Sequence, residues 1–302
     1  MTEKADMTEQ AAPHFAEPFR LAHPEEGPSA VLFNSPHSGR NYPDFFVQSS
    51  RLDRLALRRS EDMEVDHLIE GVVAVGASLF TVDFPRAYCD VNREPYELDP
   101  KMFSTRLPGY ANTRSLRVAS GLGTIPRTVG DNLDIYPGPI PVEDAFTRIE
   151  TLYKPYHRAL ARALTTAHRR HGFALLVDCH SMPSAAIARS ESFQCDVVIG
   201  DRYGTSADPE IPDLIESILR AMGLSVARNR PYAGGFITEH YGSPRSGIHA
   251  VQIEINRGLY MDERKFERLR DFDRLKHNLT RLAEELVAYA THFEWPNQLA
   301  AE

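Results

Sequence analysis

The chain has 302 residues, 42% of them hydrophobic, and its 34 Lys and Arg against 42 Asp and Glu give a formal charge of −8 at pH 7. This acidic balance argues against nucleic acid as the main partner, and no apolar run approaches the roughly 18 residues of a membrane helix. Three cysteines without CxxC spacing and an acidic N-terminal stretch unlike a signal peptide predict a cytoplasmic globular protein, most often an enzyme at this size.

The first part of the chain predicts an arm followed by strands and a helix. Residues 1–27 are polar and acidic with three prolines, so we expect a flexible N-terminal arm ahead of a single domain over 28–295. The apolar run 30–34 stops at a Ser-Pro-His-Ser-Gly turn and predicts a buried strand. Apolar residues at three- and four-residue spacing predict a helix over 53–75 that is capped by Gly76. Further strands are predicted over 78–84 and 88–92.

The stretch 95–140 has a different character. It contains six prolines and five glycines and shows no clear helical or strand period. Long irregular segments inside a compact domain are usually functional, as lids or binding loops. We therefore expect residues 95–140 to form a long loop that shapes a pocket.

The second half of the chain alternates strands and helices. Its apolar pattern predicts a helix over 142–171 with an interruption near Pro155, and the run 173–178 is the clearest central strand. The remaining predicted elements are strands over 196–200 and 248–255, a helix over 211–222 and an amphipathic helix over 263–293. This alternation predicts an α/β fold, a three-layer α/β/α sandwich with a mixed, mostly parallel central sheet.

Two histidines follow predicted strands, at the sheet edge where α/β folds bind their ligands. His37 comes after the first of these strands and His180 after the central one. A catalytic zinc usually has three protein ligands, imidazole is a good one, and an acidic third ligand is available in Glu61 or Asp62. The pattern therefore predicts a metal site, against the alternative of two ordinary hydrogen-bonded loop histidines.

Three further features have both a functional and a structural explanation. Glu254 lies near the end of a predicted buried strand, where a carboxylate is costly unless it pairs with Arg257 or Arg93 or acts as a general base. Asn92 and Arg93 follow a predicted strand and suit either the capture of a substrate carboxylate or a surface ion pair. Cys179 adjoins the second histidine, but neighbouring strand residues point to opposite faces, which favours a core cysteine over a nucleophile.

Seven short motifs, in order along the chain, make it similar to one known family. They are Ser35-Pro-His-Ser-Gly39, Glu61-Asp-Met-Glu-Val-Asp-His-Leu68, Asp90-Val-Asn-Arg93, Asp178-Cys-His-Ser181, Ala233-Gly-Gly-Phe-Ile-Thr238, His249-Ala-Val-Gln-Ile-Glu-Ile255 and Leu259-Tyr-Met261. With them the sequence from about 31 to 262 resembles the N-formylglutamate amidohydrolase family, a relative of the zinc carboxypeptidases and aspartoacylases.

The resemblance implies one zinc ion per chain and a role for each matching residue. His37 and His180 correspond to the histidine ligands, and Asp62 to the carboxylate ligand, with the adjacent Glu61 as the alternative. The better-known carboxypeptidase pattern places its acid three residues after the first histidine. This chain has Arg40 there, which cannot bind a cation, so its carboxylate ligand has to come from elsewhere.

The same resemblance implies catalytic and substrate-binding residues. Glu254 corresponds to the catalytic glutamate, and Asn92 with Arg93 to the pair that binds a substrate carboxylate, Arg93 also being a donor to the developing oxyanion. Asp178 is placed to orient a ligand histidine. Gly234-Gly235 would let the backbone approach the substrate, unless it forms a tight turn. A second substrate carboxylate requires a further cation. The candidates are Arg86, Arg106, Arg127 and Arg257.

The implied activity is zinc-dependent hydrolysis of the amide of an N-acylated acidic amino acid, first of all N-formyl-L-glutamate and water to formate and L-glutamate, in amino-acid catabolism. One alternative keeps this chemistry with another N-acyl amino acid or a small peptide. An alternative of another class is a non-catalytic protein that binds a small anionic ligand. The joint presence of His37, Asp62, His180 and Glu254 favours the enzyme. The expected partner of the enzyme is a small acidic substrate, and the oligomeric state is left open.

Overall fold

The computed structural model describes residues 15–188 and 195–292, which form strands and helices of an α/β protein. The strands are β1 (Phe19–Ala22), β2 (Val31–Ser35), β3 (Ser78–Val82), β4 (Thr128–Val129), β5 (Leu133–Asp134), β6 (Ala174–Met182), β7 (Val197–Gly200), β8 (Val226–Arg228), β9 (Ile248–Asn256), β10 (Met261–Asp262) and β11 (Glu267–Arg268). The α-helices are α1 (Asp44–Ser49), α2 (Arg54–Leu57), α3 (Val65–Leu68), α4 (Leu116–Ala119), α5 (Val142–Arg148), α6 (Lys154–His171), α7 (Ser184–Ala188), α8 (Glu210–Ala221), α9 (Phe236–Tyr241) and α10 (Phe272–His292). Single 3₁₀ segments cover Arg58–Ser60, Glu70–Val75, Pro100–Met102, Gly130–Asn132, Pro244–Ser246 and Arg257–Leu259.

Seven of the strands form one mixed sheet in the order β1-β3-β2-β6-β9-β7-β8. β2 pairs in parallel with β3 and β6, β6 pairs in parallel with β9, and β7 runs antiparallel to β9 and parallel to β8. The carboxyl ends of β2, β6 and β9 therefore meet at one edge of the sheet. The predicted fold class, an α/β sandwich with a mixed and mostly parallel sheet, is confirmed.

The two faces of the central strands differ in chemistry. Alternate residues of β2, β6 and β9 belong to a hydrophobic core that also contains residues of α3, α8 and α10. On α10 the buried side chains recur at three- and four-residue spacing, and burial of one such leucine contributes about 1.5–3 kcal/mol. The buried side chains are Phe272, Leu275, Leu279, Leu282, Ala283 and Leu286. The intervening strand residues point to the other face and are polar near the carboxyl edge.

The described residues form two compact units. The first contains residues 15–19, 39–61 and 83–158, and with them α1, α2, α4, α5 and the β4–β5 hairpin. The second contains 20–38, 62–82 and the described residues from 159 onward, and with them the seven-stranded sheet apart from its first residue. A single domain over 28–295 stays a prediction. Of the predicted N-terminal arm, residues 1–14 lie outside the described residues, and β1 lies within its second half.

The helix predicted over 53–75 is broken into short pieces, α2, α3 and two 3₁₀ segments. One break is at Asp62, whose N–H donates to the carbonyl oxygen of His37 at 3.0 Å instead of continuing a helix. Another is at Glu64, whose φ of 64° lies in the left-handed region. Gly76 ends the segment as predicted, with a φ of 93°. The hydrogen bond from Asp62 to His37, in the turn after β2, thus interrupts the helix that the apolar spacing predicted.

The strand predicted over 88–92 is wrong, since this segment forms turns. The Asp90 carboxylate accepts a hydrogen bond from the Asn92 N–H at 2.9 Å. Such a local bond between a side chain and the backbone competes with the backbone pairing that a strand requires. The apolar content of this segment instead supplies buried side chains, among them Tyr88 and Val91.

The segment predicted as a long loop over 95–140 contains short elements of its own. α4 lies within it, and β4 pairs with β5 in an antiparallel hairpin. Arg127 anchors this hairpin, because its guanidinium donates to Asp99 through Nε at 2.9 Å and to Asp134 through Nη1. A pocket-shaping role for the segment stays a prediction.

The other predicted elements are confirmed within a few residues, except in two helices. The interruption expected near Pro155 is a π-helical turn over Ile149–Tyr153, directly before α6, and such turns accommodate irregular backbone hydrogen bonding. The C-terminal helix starts at Phe272 rather than 263, because the residues before it form the antiparallel β10–β11 pair. Residue 293, its predicted end, lies outside the described residues. None of the helices in the described part combines the length and apolar content needed to cross a bilayer.

Candidate active site

The carboxyl edge of β2, β6 and β9 carries a row of buried polar side chains. In the sheet register Asn34 is paired with Asp178, Asp178 with Gln252, and His180 with Glu254. Residues two apart on a strand face the same way, so Asp178 and His180 of β6 stand beside Gln252 and Glu254 of β9. The sheet itself therefore brings together four chemically active side chains on one face.

His37, Asp62 and His180 form a compact group at this edge. Asp62 Oδ2 lies 3.2 Å from Nδ1 of His37 and 2.9 Å from Nδ1 of His180. One ligand atom from each of the three residues lies within 4.8 Å of the others, and all three side chains are buried. Two imidazoles and one carboxylate converging in this way are a donor set suited to a divalent metal such as zinc.

The loop that carries Asp62 is tied to the turn after β2. The hydroxyl of Ser38 donates to the carbonyl oxygen of Asp62 at 2.9 Å and accepts from the N–H of Asp66 at 3.2 Å. Ser38 also lies 2.5 Å, hydroxyl to hydroxyl, from Ser35 at the end of β2. Together with the bond from Asp62 N–H to His37 these contacts hold the carboxylate beside the first histidine. The adjacent Glu61 instead pairs with Arg58 at 3.1 Å, and Asp62 as the carboxylate ligand stays a prediction.

Asp178 orients the ring of His180. Its Oδ2 accepts from Nε2 of His180 at 2.9 Å, and its Oδ1 accepts from the side-chain amide of Asn34 at 2.7 Å. A carboxylate on Nε2 fixes the ring so that Nδ1 points to Asp62. Carboxylates commonly hold metal-binding histidines in this way. The contact between Asp178 and His180 is thus present, and its role in orienting a metal ligand stays a prediction.

The second oxygen of Asp62 is held from the opposite side. Ser181 donates to Asp62 Oδ1 at 3.1 Å, Arg257 Nη2 lies 3.4 Å from the same oxygen, and Arg257 Nε donates to Ser181 at 2.9 Å. His180 and Ser181 are neighbours on β6, yet both contact Asp62. Arg257, predicted to bind substrate, is therefore a buried partner of the Asp62 carboxylate.

The charges of the group shift two pKa values in opposite directions. Burial alone would raise the pKa of Asp62, but hydrogen bonds and charges from His180 and His37 hold it well below its usual 3.8. Burial alone would lower the pKa of His180, but the charge and hydrogen bond of Asp178, followed by those of Asp62, raise it well above 6.5. The two shifts share one cause, since each of the two groups favours the charged form of the other.

Glu254 is held by its neighbour on the same strand. The side-chain amide of Gln252 donates to Glu254 Oε1 at 2.9 Å, and Gln252 Oε1 accepts from the N–H of Gly235 at 2.8 Å. Glu254 is 8% exposed and Gln252 4%. Of the two arginines considered for it, Arg257 lies 3.4 Å from Asp62 and Arg93 lies 3.6 Å from Asp90.

The predicted glycine pair does not form a hairpin turn. Gly234 has a φ of 112°, in the region that favours glycine, and Gly235 immediately precedes α9. A Cβ on Gly200, at the end of β7, would lie 2.6 Å from the backbone nitrogen of Gly234. The Gly234-Gly235 backbone thus rests directly on the sheet, and this contact brings the Gly235 N–H to Gln252.

Asn92 and Arg93 lie in the first compact unit and are held by local bonds. Arg93 donates through Nε to the carbonyl oxygen of Leu122 at 2.8 Å and through Nη1 to that of Asn92 at 2.7 Å. Burial lowers the pKa of Arg93, and the charge of Asp90 opposes this shift. Arg86, another predicted cation, donates to Asp90 at 2.7 Å. Among the remaining candidates, Arg127 pairs with Asp99 and Arg106 is exposed.

Sequence reasoning missed four residues of this site. They are Asn34, Ser38, Ser181 and Gln252. Gln252 could have been found from the sequence, because it lies two residues before Glu254 and therefore on the same face of β9. Ser38 and Ser181 adjoin the two histidines but carry no pattern of their own, and Asn34 is recognisable only once its pairing with Asp178 is known.

The sequence is similar to that of known proteins over most of its length. The family model described as N-formylglutamate amidohydrolase matches residues 29–261. An N-formylglutamate deformylase of Pseudomonas aeruginosa is 29% identical over 242 residues, which cover 79% of this chain and 85% of that protein. An N-formylglutamate deformylase of Pseudomonas putida is 29% identical over 241 residues, covering 79% and 84%.

The fold is also similar to that of solved structures, of which two are described. The crystal structure of N-formylglutamate amidohydrolase from Ralstonia eutropha JMP134 is 37% identical in sequence, with a TM-score of 0.85 over 90% of this chain and 98% of that one. A protein of Agrobacterium tumefaciens has a TM-score of 0.65 at 17% identity, over 90% of this chain and 94% of that one, and shares the fold.

Proposed function

The chain belongs to the N-formylglutamate amidohydrolase family, and we propose that it is a zinc-dependent enzyme that hydrolyses N-formyl-L-glutamate to formate and L-glutamate. One observation carries the proposal. The buried group of His37, Asp62 and His180 lies at the sheet edge, and Glu254 is paired with His180 on the adjacent strand. A metal-binding group beside a buried carboxylate is what metal-assisted hydrolysis of an amide requires.

The residues of the group fit a zinc ion. Asp62 turns one oxygen toward both histidines while its other oxygen is held by Ser181 and Arg257, so the carboxylate is preset to offer one ligand atom. His37, Asp62 and His180 would hold the ion, which when bound supplies Lewis-acid polarisation of the scissile carbonyl and acidifies the attacking water. Asp178 keeps the ring of His180 in register for that contact.

Glu254 moves the protons of the reaction. As a carboxylate it accepts a proton from the attacking water, whose oxygen bonds to the formyl carbon. It then gives this proton to the amide nitrogen as the carbon–nitrogen bond breaks. The formyl group leaves as formate, and the nitrogen becomes the amino group of glutamate. The hydrogen bond from Gln252 to Glu254 favours the ionised form, which is the form that starts this sequence.

Substrate carboxylates need cationic partners, and Asn92 with Arg93 are the residues we assign to one of them. An arginine offers two parallel N–H donors that match a carboxylate, and an amide adds a further donor. Two of the Arg93 donors bond to backbone carbonyls, which fixes the plane of its guanidinium before substrate binds. For Arg257 the contacts with Asp62 and Ser181 support orientation of the metal-binding carboxylate instead.

The test combines metal content with product analysis. We expect about one zinc per purified chain and equal amounts of formate and glutamate from N-formyl-L-glutamate, with activity lost on chelation and regained with zinc. N-acetyl-L-glutamate and N-formyl-L-alanine are the matched substrates, one changing the acyl group and the other removing the second carboxylate. Zinc with turnover of a different N-acyl amino acid would keep the chemistry and change the substrate. Binding of N-formyl-L-glutamate by the zinc-loaded protein without turnover of any of these would contradict the enzyme and favour a ligand-binding protein.

A further inference from the structure

We infer that Gln252 is the positioning residue of Glu254, through a hydrogen-bonded chain that runs from the backbone N–H of Gly235 through the Gln252 amide to the Glu254 carboxylate. The inference rests on the proposed function, in which Glu254 is the proton-transfer group. No part of the family resemblance assigns a role to Gln252. Its support comes from the register of β9, the contacts of the amide and the packing behind Gly235.

The register places Gln252 and Glu254 on the same face of the sheet. Gln252 is paired with Asp178 on one side and Gly200 on the other, and Glu254 with His180 on β6. Both side chains are almost fully buried, so their orientation depends on contacts with protein groups rather than with water. A buried amide two residues from a buried carboxylate on one strand is close enough to act on it directly, and the 2.9 Å bond to Oε1 shows that it does.

The orientation of the Gln252 amide is determined by its other partner. The Gly235 N–H can only donate, so the atom that faces it at 2.8 Å is the amide oxygen. The amide nitrogen must then face Glu254 Oε1 as a donor. A flipped amide would oppose N–H to NH₂ on one side and a carbonyl to a carboxylate on the other, and both contacts would be repulsive. The backbone therefore decides that Gln252 offers Glu254 a proton donor.

The Gly235 N–H is itself held against the sheet. Gly200 has no side chain, and a Cβ there would meet the backbone of Ala233 and Gly234 at 2.6–3.0 Å. The carbonyl oxygen of Ala233 accepts from the N–H of Arg202 at 2.8 Å. Gly234 adopts a φ of 112°, which turns the chain into α9. The far end of the hydrogen-bonded chain is thus anchored to the end of β7 rather than to a freely moving loop.

This arrangement has a chemical consequence for Glu254. A long carboxylate side chain has several rotamers, and a directed donor on Oε1 selects the one that keeps the carboxylate on the face of His180. Loss of the donor should therefore slow proton transfer while substrate and metal still bind.

Two variants separate the donor from its structural support. Gln252→Glu keeps an acceptor for the Gly235 N–H and puts a second carboxyl group in place of the neutral amide donor to Glu254, whereas Gln252→Met removes both contacts at similar size. We expect kcat to fall about 10–100-fold in both, the range found for partners behind active-site groups, with KM for N-formyl-L-glutamate and zinc affinity within about twofold. The exposed Gln48→Glu on α1 controls for the added charge. An unchanged kcat in both variants, or a parallel loss of zinc, would overturn the inference.

A double variant tests whether Gln252 acts through Glu254. In a Glu254→Gln background the further change Gln252→Met should lower kcat by less than about twofold, because the group that it positions is already lost. Effects that multiply would show that Gln252 acts independently and would overturn the inference. If the unmodified protein does not release formate, the proposed function fails by itself. A crystal structure of Gln252→Met then tests the positioning role directly: a displaced Glu254 carboxylate is expected, and an unmoved one would overturn the inference.

Discussion

His180 and Glu254 stand side by side because they are paired residues of the parallel strands β6 and β9. Neighbouring strands lie about 4.8 Å apart, so the sheet sets the distance between a candidate metal ligand and a candidate proton-transfer group that are remote in sequence. Asp178 and Gln252, which are paired two positions earlier in the same register, each bond to the residue two positions ahead. The same kind of contact is thus made twice, once on each of the two strands.

Replacement of either histidine should abolish metal binding. We expect His37→Ala and His180→Ala each to lower zinc affinity by more than the ~10–100-fold that loss of a supporting partner costs, because a direct ligand is removed. Zinc affinity measured by competition with a chromophoric chelator provides the readout. The exposed His277→Ala is the matched control and should bind zinc normally. Normal zinc binding by either of the first two variants would remove that histidine from the group.

Asp178→Asn should weaken metal binding without abolishing it. The carboxylate that accepts from His180 Nε2 and from Asn34 becomes a neutral amide, so the ring is held less firmly and its nitrogen is a poorer ligand. An outer-partner change of this kind costs about 10–100-fold in affinity. Isothermal titration with zinc measures the change, and circular dichroism checks the fold. An affinity within about twofold of the unmodified protein would mean that Asp178 has a purely structural role.

Glu254→Gln should keep the metal and lose the reaction. The amide has nearly the same shape but cannot accept a proton from water, so kcat should fall by about 10²–10⁴-fold while zinc content stays the same. Rapid measurement of formate release gives kcat, and elemental analysis gives zinc. Retained turnover at full zinc content would show that Glu254 is structural.

The predictable part of this site was the part that is local in sequence. Histidines that follow apolar runs indicated strand ends, and the phase of the apolar residues in 248–255 placed Glu254 on a strand. What could not be predicted depends on residues meeting across elements. The N–H of Asp62 bonds to His37 and interrupts the predicted helix. The segment 88–92 forms turns in which the Asp90 carboxylate accepts from the Asn92 N–H, and not the predicted strand. Each of these outcomes involves one hydrogen bond, and such a bond produces no periodic pattern in the sequence.

Variants of Arg257 and Arg93 distinguish a residue that orients the Asp62 carboxylate from one that binds substrate. The contacts of Arg257 with Asp62 and Ser181 predict that Arg257→Gln lowers zinc affinity by about tenfold or more and leaves KM of the zinc-loaded enzyme nearly unchanged. Arg93→Ala should show the reverse, a strongly raised KM with normal zinc affinity, because a substrate-binding cation is lost. Zinc titration and steady-state kinetics on both variants give the four values. A raised KM with normal zinc affinity in Arg257→Gln would return this residue to the substrate.

His249 should make the fold less stable in acid, independently of the active site. Its side chain is fully buried against Phe173, and its Nδ1 accepts from the N–H of Asp208 at 3.0 Å, which requires the neutral ring. Burial lowers its pKa from 6.5 to about 4, although the charge of Asp208 opposes this. Between pH 6.5 and 4 the unfolded chain therefore binds more protons than the folded one at this position, and stability falls as the pH falls.

The loss reaches about 3 kcal/mol at pH 4 and below, and it is absent above pH 6.5. His249→Gln removes the titration while keeping an acceptor for the Asp208 N–H, so other acid-sensitive groups cancel between the two proteins. Urea unfolding of both metal-free proteins at pH 7, 5 and 4 measures the difference in unfolding free energy. We expect that difference to move in favour of the glutamine variant as the pH drops, since the unmodified chain alone must either keep His249 neutral or bury a charge. A difference that stays constant from pH 7 to pH 4 would show that His249 does not titrate with a lowered pKa.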